Sequence, residues 1–172
     1  MTRLTVLTVP DPRLRIKAQP IAAVDDEIRK LMDDMLETMY DEDGIGLAAI
    51  QVNVQKRVMV VDLGEDRQEK PLFIANPELL WTSEEMQVTQ EGCLSVPSQY
   101  DEVIRPLSVR LKYLDENNQS QILEASGLLA DCIQHEIDHL NGKLFVDHLS
   151  PLKKKMALAR SEKYTKEKSH RM

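Results

Sequence analysis

His135-Glu136-Ile137-Asp138-His139 places a carboxylate between two metal-binding side chains. On an α-helix, residues four apart differ by about 40° around the axis and about 6 Å along it, so both imidazoles can reach one ion. Glu136 follows the first histidine, where a carboxylate can take a proton from metal-bound water. The flanks carry helical periodicity. Leu128, Leu129, Cys132, Ile133 and Leu140 recur at helical spacing, and Gly142 is placed to end the helix in a left-handed conformation. That context separates the motif from a chance HExxH in an acidic helix.

The third ligand is less legible. An extended HExxHxxGxxH motif fails, because Phe145 stands where the third histidine belongs and His148 falls three residues too late. A downstream glutamate would be Glu162 or Glu167, both in a lysine-rich tail without an apolar surround. The soft donors are the two cysteines. Cys132, one turn before His135, reads more simply as a small buried helix residue. Cys93 lies in Glu91-Gly92-Cys93-Leu94-Ser95, where glycine permits close backbone approach and a thiolate could bond the ion. Spacing favours Cys93 only modestly. The other use of two cysteines is a Cys93–Cys132 disulfide. The start of the chain has no basic n-region followed by an apolar h-region, so a reducing compartment and a ligand role are expected instead.

These residues need elements to position them. Val24, Ile28, Leu31, Met32, Met35, Leu36 and Met39 recur at three and four residues, so Asp25 to about Tyr40 reads as an amphipathic helix capped by Asp25. Its methionine stripe is core packing. Arg57 to Asp62 and Leu72 to Asn76 read as short strands. Leu107 to Leu114 alternates, with Leu107, Val109, Leu111 and Tyr113 on one face. Asp115-Glu116-Asn117-Asn118 is a turn leading to a strand near Gln121 to Leu123, while Pro10, Pro12 and Pro20 predict an extended N-terminal arm. Strands between helices without βαβ alternation predict an α+β fold, with antiparallel β-sheets around a central helix that carries HExxH, plus N- and C-terminal helices.

At 172 residues the chain is expected to form a single catalytic domain with a basic C-terminal helix or tail over about 150–172. No apolar run approaches the ~18 residues of a membrane span, and a cytoplasmic location is expected. Net charge is −7, yet the stretch from Lys153 onward holds eight Lys or Arg against Glu162 and Glu167. The rest is therefore strongly acidic and a poor general nucleic-acid binder, with no specific DNA partner expected. The tail is either a solvated helical face or a contact for an anionic surface. Leu152, Met156, Ala159 and Tyr164 are the apolar residues on which it would pack.

Three segments in register resemble the bacterial peptide deformylases of type I: Gly44-Ile45-Gly46-Leu47-Ala48-Ala49-Ile50-Gln51, the Glu91 to Ser95 stretch, and His135 to Gly142. The similarity runs from about Leu4 to Ser150-Pro151-Leu152. It implies Cys93, His135 and His139 as ligands of one divalent metal ion, Fe(II) in the cell with Zn(II) or Ni(II) in purified protein. It also implies Glu136 as acid and base, and the Gln51 amide and Leu94 N–H as donors to the reacting oxygen. Ile45, Leu128, Cys132 and the side of His135 would form an apolar pocket for methionine. Gly44 and Gly46 would let an extended peptide lie alongside as an added strand. The implied reaction removes the formyl group from the N-terminal formyl-methionine of nascent peptides, releasing formate. A monomer is expected, with a ribosome contact through the basic tail.

Two positions depart from the resemblance. Asp131 stands where relatives carry an apolar residue, and as a carboxylate at the pocket rim it predicts a preference for peptides with a basic residue near the formyl-methionine. Tyr100 stands where enteric-type relatives carry arginine. The alternatives from other classes are an HExxH metallopeptidase and a non-catalytic, metal-binding, ribosome-associated protein.

Overall fold

Asp25 starts the first helix as its position predicts: its carboxylate accepts the Ile28 N–H at 2.9 Å, and Asp26 and Glu27 complement the helix dipole behind it. This helix, α1 (Asp26–Asp41), buries Ile28, Met32, Met35 and Met39. The structure is a computed structural model that describes residues 2–64, 68 and 70–171. After α1 come β1 (Gly46–Ala48), β2 (Val58–Val61), β3 (Leu72–Thr82), β4 (Met86–Cys93), β5 (Val96–Pro106), β6 (Ser108–Leu114) and β7 (Ser120–Ser126). Two further helices close the order, α2 (Leu128–Leu140) and α3 (Pro151–Arg171).

All strand pairings are antiparallel. A five-stranded sheet runs β1-β2-β3-β6-β7, and β4 pairs with β5 as a separate hairpin. The expected α+β fold is what the chain adopts. All four residues of β2 are buried, because both faces of the strand are covered. Val58 and Val60 join the α1 methionines in one apolar cluster, while Met59 and Val61 join Ile133, Ile137 and Leu140 of α2 in another. The metal-motif helix therefore packs on β1, β2 and β7, and it also touches β5 of the hairpin.

The end of α2 is tied down from several sides. Gly142 adopts φ +76, and a Cβ there would lie 2.5 Å from the Arg15 carbonyl oxygen, so glycine suits this turn on both counts. The Leu140 carbonyl accepts from Ala18 N at 2.8 Å and from Arg57 Nη1 at 3.1 Å, a cation at the negative end of the helix. The N-terminal arm is extended only in part: Val9-Pro10 lies in a turn and Pro12 opens a single 3-10 turn, Pro12–Arg15, which its fixed φ suits. Leu7 N donates to Gln51 O at 2.7 Å and Val9 N to Ser95 O at 2.9 Å, which straps the arm over the two segments that bear site residues.

Three further expectations need correction. The strand at Leu72 does not stop at Asn76-Pro77 but continues to Thr82. Asn76 takes φ +48 at a bulge and exchanges side-chain hydrogen bonds with Ile21, so a turn signal here bends a strand instead of ending it. The hairpin β4–β5 had no counterpart in the sequence pattern. The tail is helical, but its packed face is not the one read from its apolar residues. Leu152 and Tyr164 are exposed, whereas Ala157, Leu158, Ser161 and Thr165 face inward and Ser161 Oγ donates to Pro97 O at 2.9 Å. Among the described residues, no helix is long and apolar enough to cross a membrane.

Candidate metal centre

Three donor atoms converge where the hairpin meets α2. Cys93 is the last residue of β4, and His135 and His139 lie one turn apart on α2. Cys93 Sγ is 3.2 Å from His139 Nε2, which is 3.2 Å from His135 Nε2. Donors about 2.0–2.3 Å from a tetrahedral ion stand roughly 3.3–3.6 Å apart, so this spacing suits one ion held by all three. Among the described residues this is the one such cluster of His, Cys, Asp or Glu, which leaves Glu162 and Glu167 outside it. Both cysteines are free thiols. Burial, and then the charges of Glu136, Asp131 and Glu91, push the Cys132 thiol well above its usual range, which disfavours the thiolate a ligand must be.

A buried layer of charge orients the first histidine. The Nδ1–H of His135 donates to Glu91 Oε1 at 2.8 Å, which directs the Nε2 lone pair at the other two donors. Glu91 is held in turn by Arg105, at 2.6 Å through Nε and 3.0 Å through Nη2, and Arg105 Nη1 donates to Asp138 Oδ2 at 2.9 Å. The exposed His148 meets the same Asp138 oxygen at 2.8 Å, at the solvent edge of this layer. Burial alone would raise the Glu91 pKa; the hydrogen bonds from His135 and Arg105 outweigh it and hold the group well below the ordinary carboxylate range. For His139, burial is the largest cause of a pKa well below its usual value, so its ring is neutral and able to bind a cation.

Glu136 is 4% exposed and its Oε1 has no hydrogen-bond partner among the described residues. Burial raises its pKa to about 7; the charge of His135 opposes the rise and that of Glu91 adds to it. A cation at the centre acts in the lowering direction. Gly46 makes room for this carboxylate, since a Cβ there would lie 2.5 Å from Glu136 Oε2 and 2.9 Å from Cys132 Sγ. Gln51 is fully buried in the short helical turn after β1. Its Oε1 accepts from Ala48 N at 2.9 Å, and its Nε2 donates to Ser95 Oγ at 3.0 Å and approaches Cys93 Sγ at 3.6 Å. Leu94 sits in the turn between β4 and β5, directly after Cys93.

A cleft of about 830 Å3 opens onto these groups, and Ile45, Gly46, Leu94, Leu128 and Cys132 all line it. Its outer walls include residues the sequence pattern did not single out, Arg3 of the N-terminal arm, Thr89 of β4, and Thr165 and Lys168 of α3, together with Tyr164, which was expected to pack the tail instead. No local signal points to them, because a lysine-rich helix end reads as solvated. Arg105 did carry a signal, a lone guanidinium one place from two apolar residues in Val103-Ile104-Arg105. Tyr100 pairs across the hairpin from Gly92 and lines the cleft while 67% exposed. Asp131 corrects the expectation of a charged rim. It is 4% exposed, 3.7 Å from Arg105 Nε, and burial, then a hydrogen bond with Glu91 and the charge of that carboxylate, raise its pKa to about 7. A carboxyl so placed does not present the solvated charge that would sort peptides by basic neighbours.

The chain is similar to known proteins over nearly its whole length. The family model described as polypeptide deformylase matches residues 3–155. The peptide deformylase of Azotobacter vinelandii is 58% identical over 163 residues, covering 95% of this chain and 96% of that one. The peptide deformylase of Chromohalobacter salexigens is 56% identical, covering 95% of both. The crystal structure of the peptide deformylase from Ehrlichia chaffeensis in complex with actinonin superposes with a TM-score of 0.91 at 43% identity, covering 95% of this chain and 98% of that one.

The two cysteines can be told apart by experiment. Cys93→Ser is expected to lower metal stoichiometry or affinity by about tenfold or more, while Cys132→Ser keeps one ion per chain. Metal content after dialysis against a competing chelator reads both, and the reverse pattern would reassign the third ligand.

Proposed function

The chain belongs to the polypeptide deformylase family, and we propose that it works through the Cys93–His135–His139 centre. It removes the formyl group from the N-terminal formyl-methionine of newly synthesised polypeptides and releases formate. The observation that carries the assignment of roles is Glu136: a buried carboxylate with an unpartnered oxygen beside three converging metal donors, at the floor of an open cleft.

An ion held by one thiolate and two imidazoles would supply Lewis-acid polarisation of the formyl carbonyl and acidification of water. The chain's own residues do the rest. Glu136 receives the proton of the attacking water and returns it to the departing amine, a task suited to a carboxyl whose burial opposes its charge. The Gln51 amide, held by Ala48 and Ser95, and the Leu94 N–H donate to the oxygen on which charge develops. Gly44 to Gly46 offers one edge for an extended peptide, and Leu128, Cys132 and Ile45 surround the first side chain. A donor set of two imidazoles and one thiolate suits Fe(II), Zn(II) and Ni(II) alike, and we assign Fe(II) in the cell from the family resemblance. The enzyme acts as a cytoplasmic monomer.

The tail's exposed lysines lie on α3, whose other side walls the cleft, so a contact with RNA phosphate there would bring the cleft to emerging chains. We assign this ribosome contact to the exposed Lys155 and Lys163. Lys154 is excluded because it pairs with Asp147 at 2.9 Å.

Two outcomes test these assignments. Protein purified without oxygen is expected to hold about one iron per chain, and Glu136→Gln to keep it while formate release from formyl-Met-Ala-Ser falls by roughly 10²–10⁴. Near-wild-type turnover would remove Glu136 from the reaction. The double variant Lys155→Glu, Lys163→Glu is expected to deformylate short peptides normally yet co-sediment less with ribosomes at low salt. Equal co-sedimentation would leave the lysines as a solvated face.

A further inference from the structure

The cleft floor holds one group that deformylation as described above does not use. Asp131 stands on α2 next to Cys132, lines the cleft with it and with Leu128, and is 4% exposed. Its Oδ1 is buried and accepts from no N–H or O–H among the described residues; the neighbouring Glu91 carboxylate is a partner that only a protonated Asp131 can use. The nearest cation, Arg105 Nε at 3.7 Å, already directs its N–H to Glu91 at 2.6 Å. An unmatched buried acceptor is unfavourable, and a ligand that supplies the missing partner gains what the empty pocket lacks. Thr89, opposite on β4, adds a second hydrogen-bonding side chain to the same cleft.

We propose that Asp131 is a specificity-determining residue, which opens the first-side-chain pocket to side chains of methionine's length ending in a hydrogen-bonding group, above all the primary amide of glutamine. The inference rests on the cleft being the formyl-peptide site. Glutamine and methionine side chains are of nearly equal length, so shape alone does not separate them. The amide has an N–H to give a carboxylate and a carbonyl to accept from a carboxylic acid, so it pairs with Asp131 in either protonation state. Methionine fills the same space and brings the carboxyl no donor. With leucine at position 131 the discrimination against glutamine deepens, because the amide then loses water without replacement.

The test is formate release by the metal-loaded enzyme from formyl-Met-Ala-Ser and formyl-Gln-Ala-Ser, with kcat and KM resolved. The wild type is expected to discriminate against glutamine by less than about a hundredfold, the rejection that an apolar pocket imposes on a polar isostere. Asp131→Leu is expected to lower the glutamine-to-methionine ratio of kcat/KM by about tenfold or more, chiefly through KM, whereas Asp131→Asn, which keeps the shape and both hydrogen-bonding roles, holds it within about threefold. Equal ratios in the wild type and Asp131→Leu overturn the proposal. Wild-type discrimination of a hundredfold or more overturns it too, even if the leucine variant does not fold. No formate from either peptide sinks the deformylase reading and this proposal with it; normal methionine turnover with glutamine rejected sinks this proposal alone.

Discussion

Arg105 is a guanidinium buried to 4% exposure and spanned by two carboxylates, Glu91 and Asp138, and the site is arranged around it. One of its partners lies two residues before Cys93 on the hairpin, and the other lies on α2 between the two histidines. A single cation therefore locks the element that carries the thiol to the element that carries both imidazoles. Removing one member of such a set strands an uncompensated charge in the interior, at a cost of about 3–5 kcal/mol. The ion-pair layer also sets the tautomer of His135, since Glu91 accepts the Nδ1–H hydrogen bond and leaves Nε2 facing the other donors.

The apolar layers serve the same placement. Strand β2 is buried between α1 and α2, and α2 is covered along most of its length, which leaves it little freedom to rotate. That fixes the 3.2 Å approach of the two imidazoles. On the cleft side, the strand edge at Gly46 lies close against Glu136 and Cys132, and the Glu136 carboxyl is left 4% exposed at the cleft floor. Burial of this group is what raises its proton affinity, so packing and acid–base behaviour have one cause.

Where local periodicity and fixed-spacing motifs operate, the sequence could be read directly. The α1 stripe, its Asp25 cap, the α2 motif and the Gly142 turn all follow from neighbours a few residues away. The β4–β5 hairpin did not, since Glu91 and Arg105 occupy its inner face while Val88 and Ile104 are exposed, an inversion of the usual alternation that only the buried ion pair explains. The inward face of α3 was missed for a related reason: its contact is made by Ser161 with the Pro97 carbonyl, not by its larger apolar residues. Cys93 was separable from Cys132 only modestly by spacing. The family resemblance chose between them, and the geometry gives the physical reason in the high thiol pKa that burial and three carboxyls impose on Cys132.

X-ray absorption at the zinc edge of the Zn(II)-loaded protein tests the donor set most directly. One sulfur at about 2.3 Å with two imidazole nitrogens at about 2.0–2.1 Å is the predicted first shell. A shell without sulfur, or one with two sulfurs, would contradict the assignment of Cys93, His135 and His139 as the ligands.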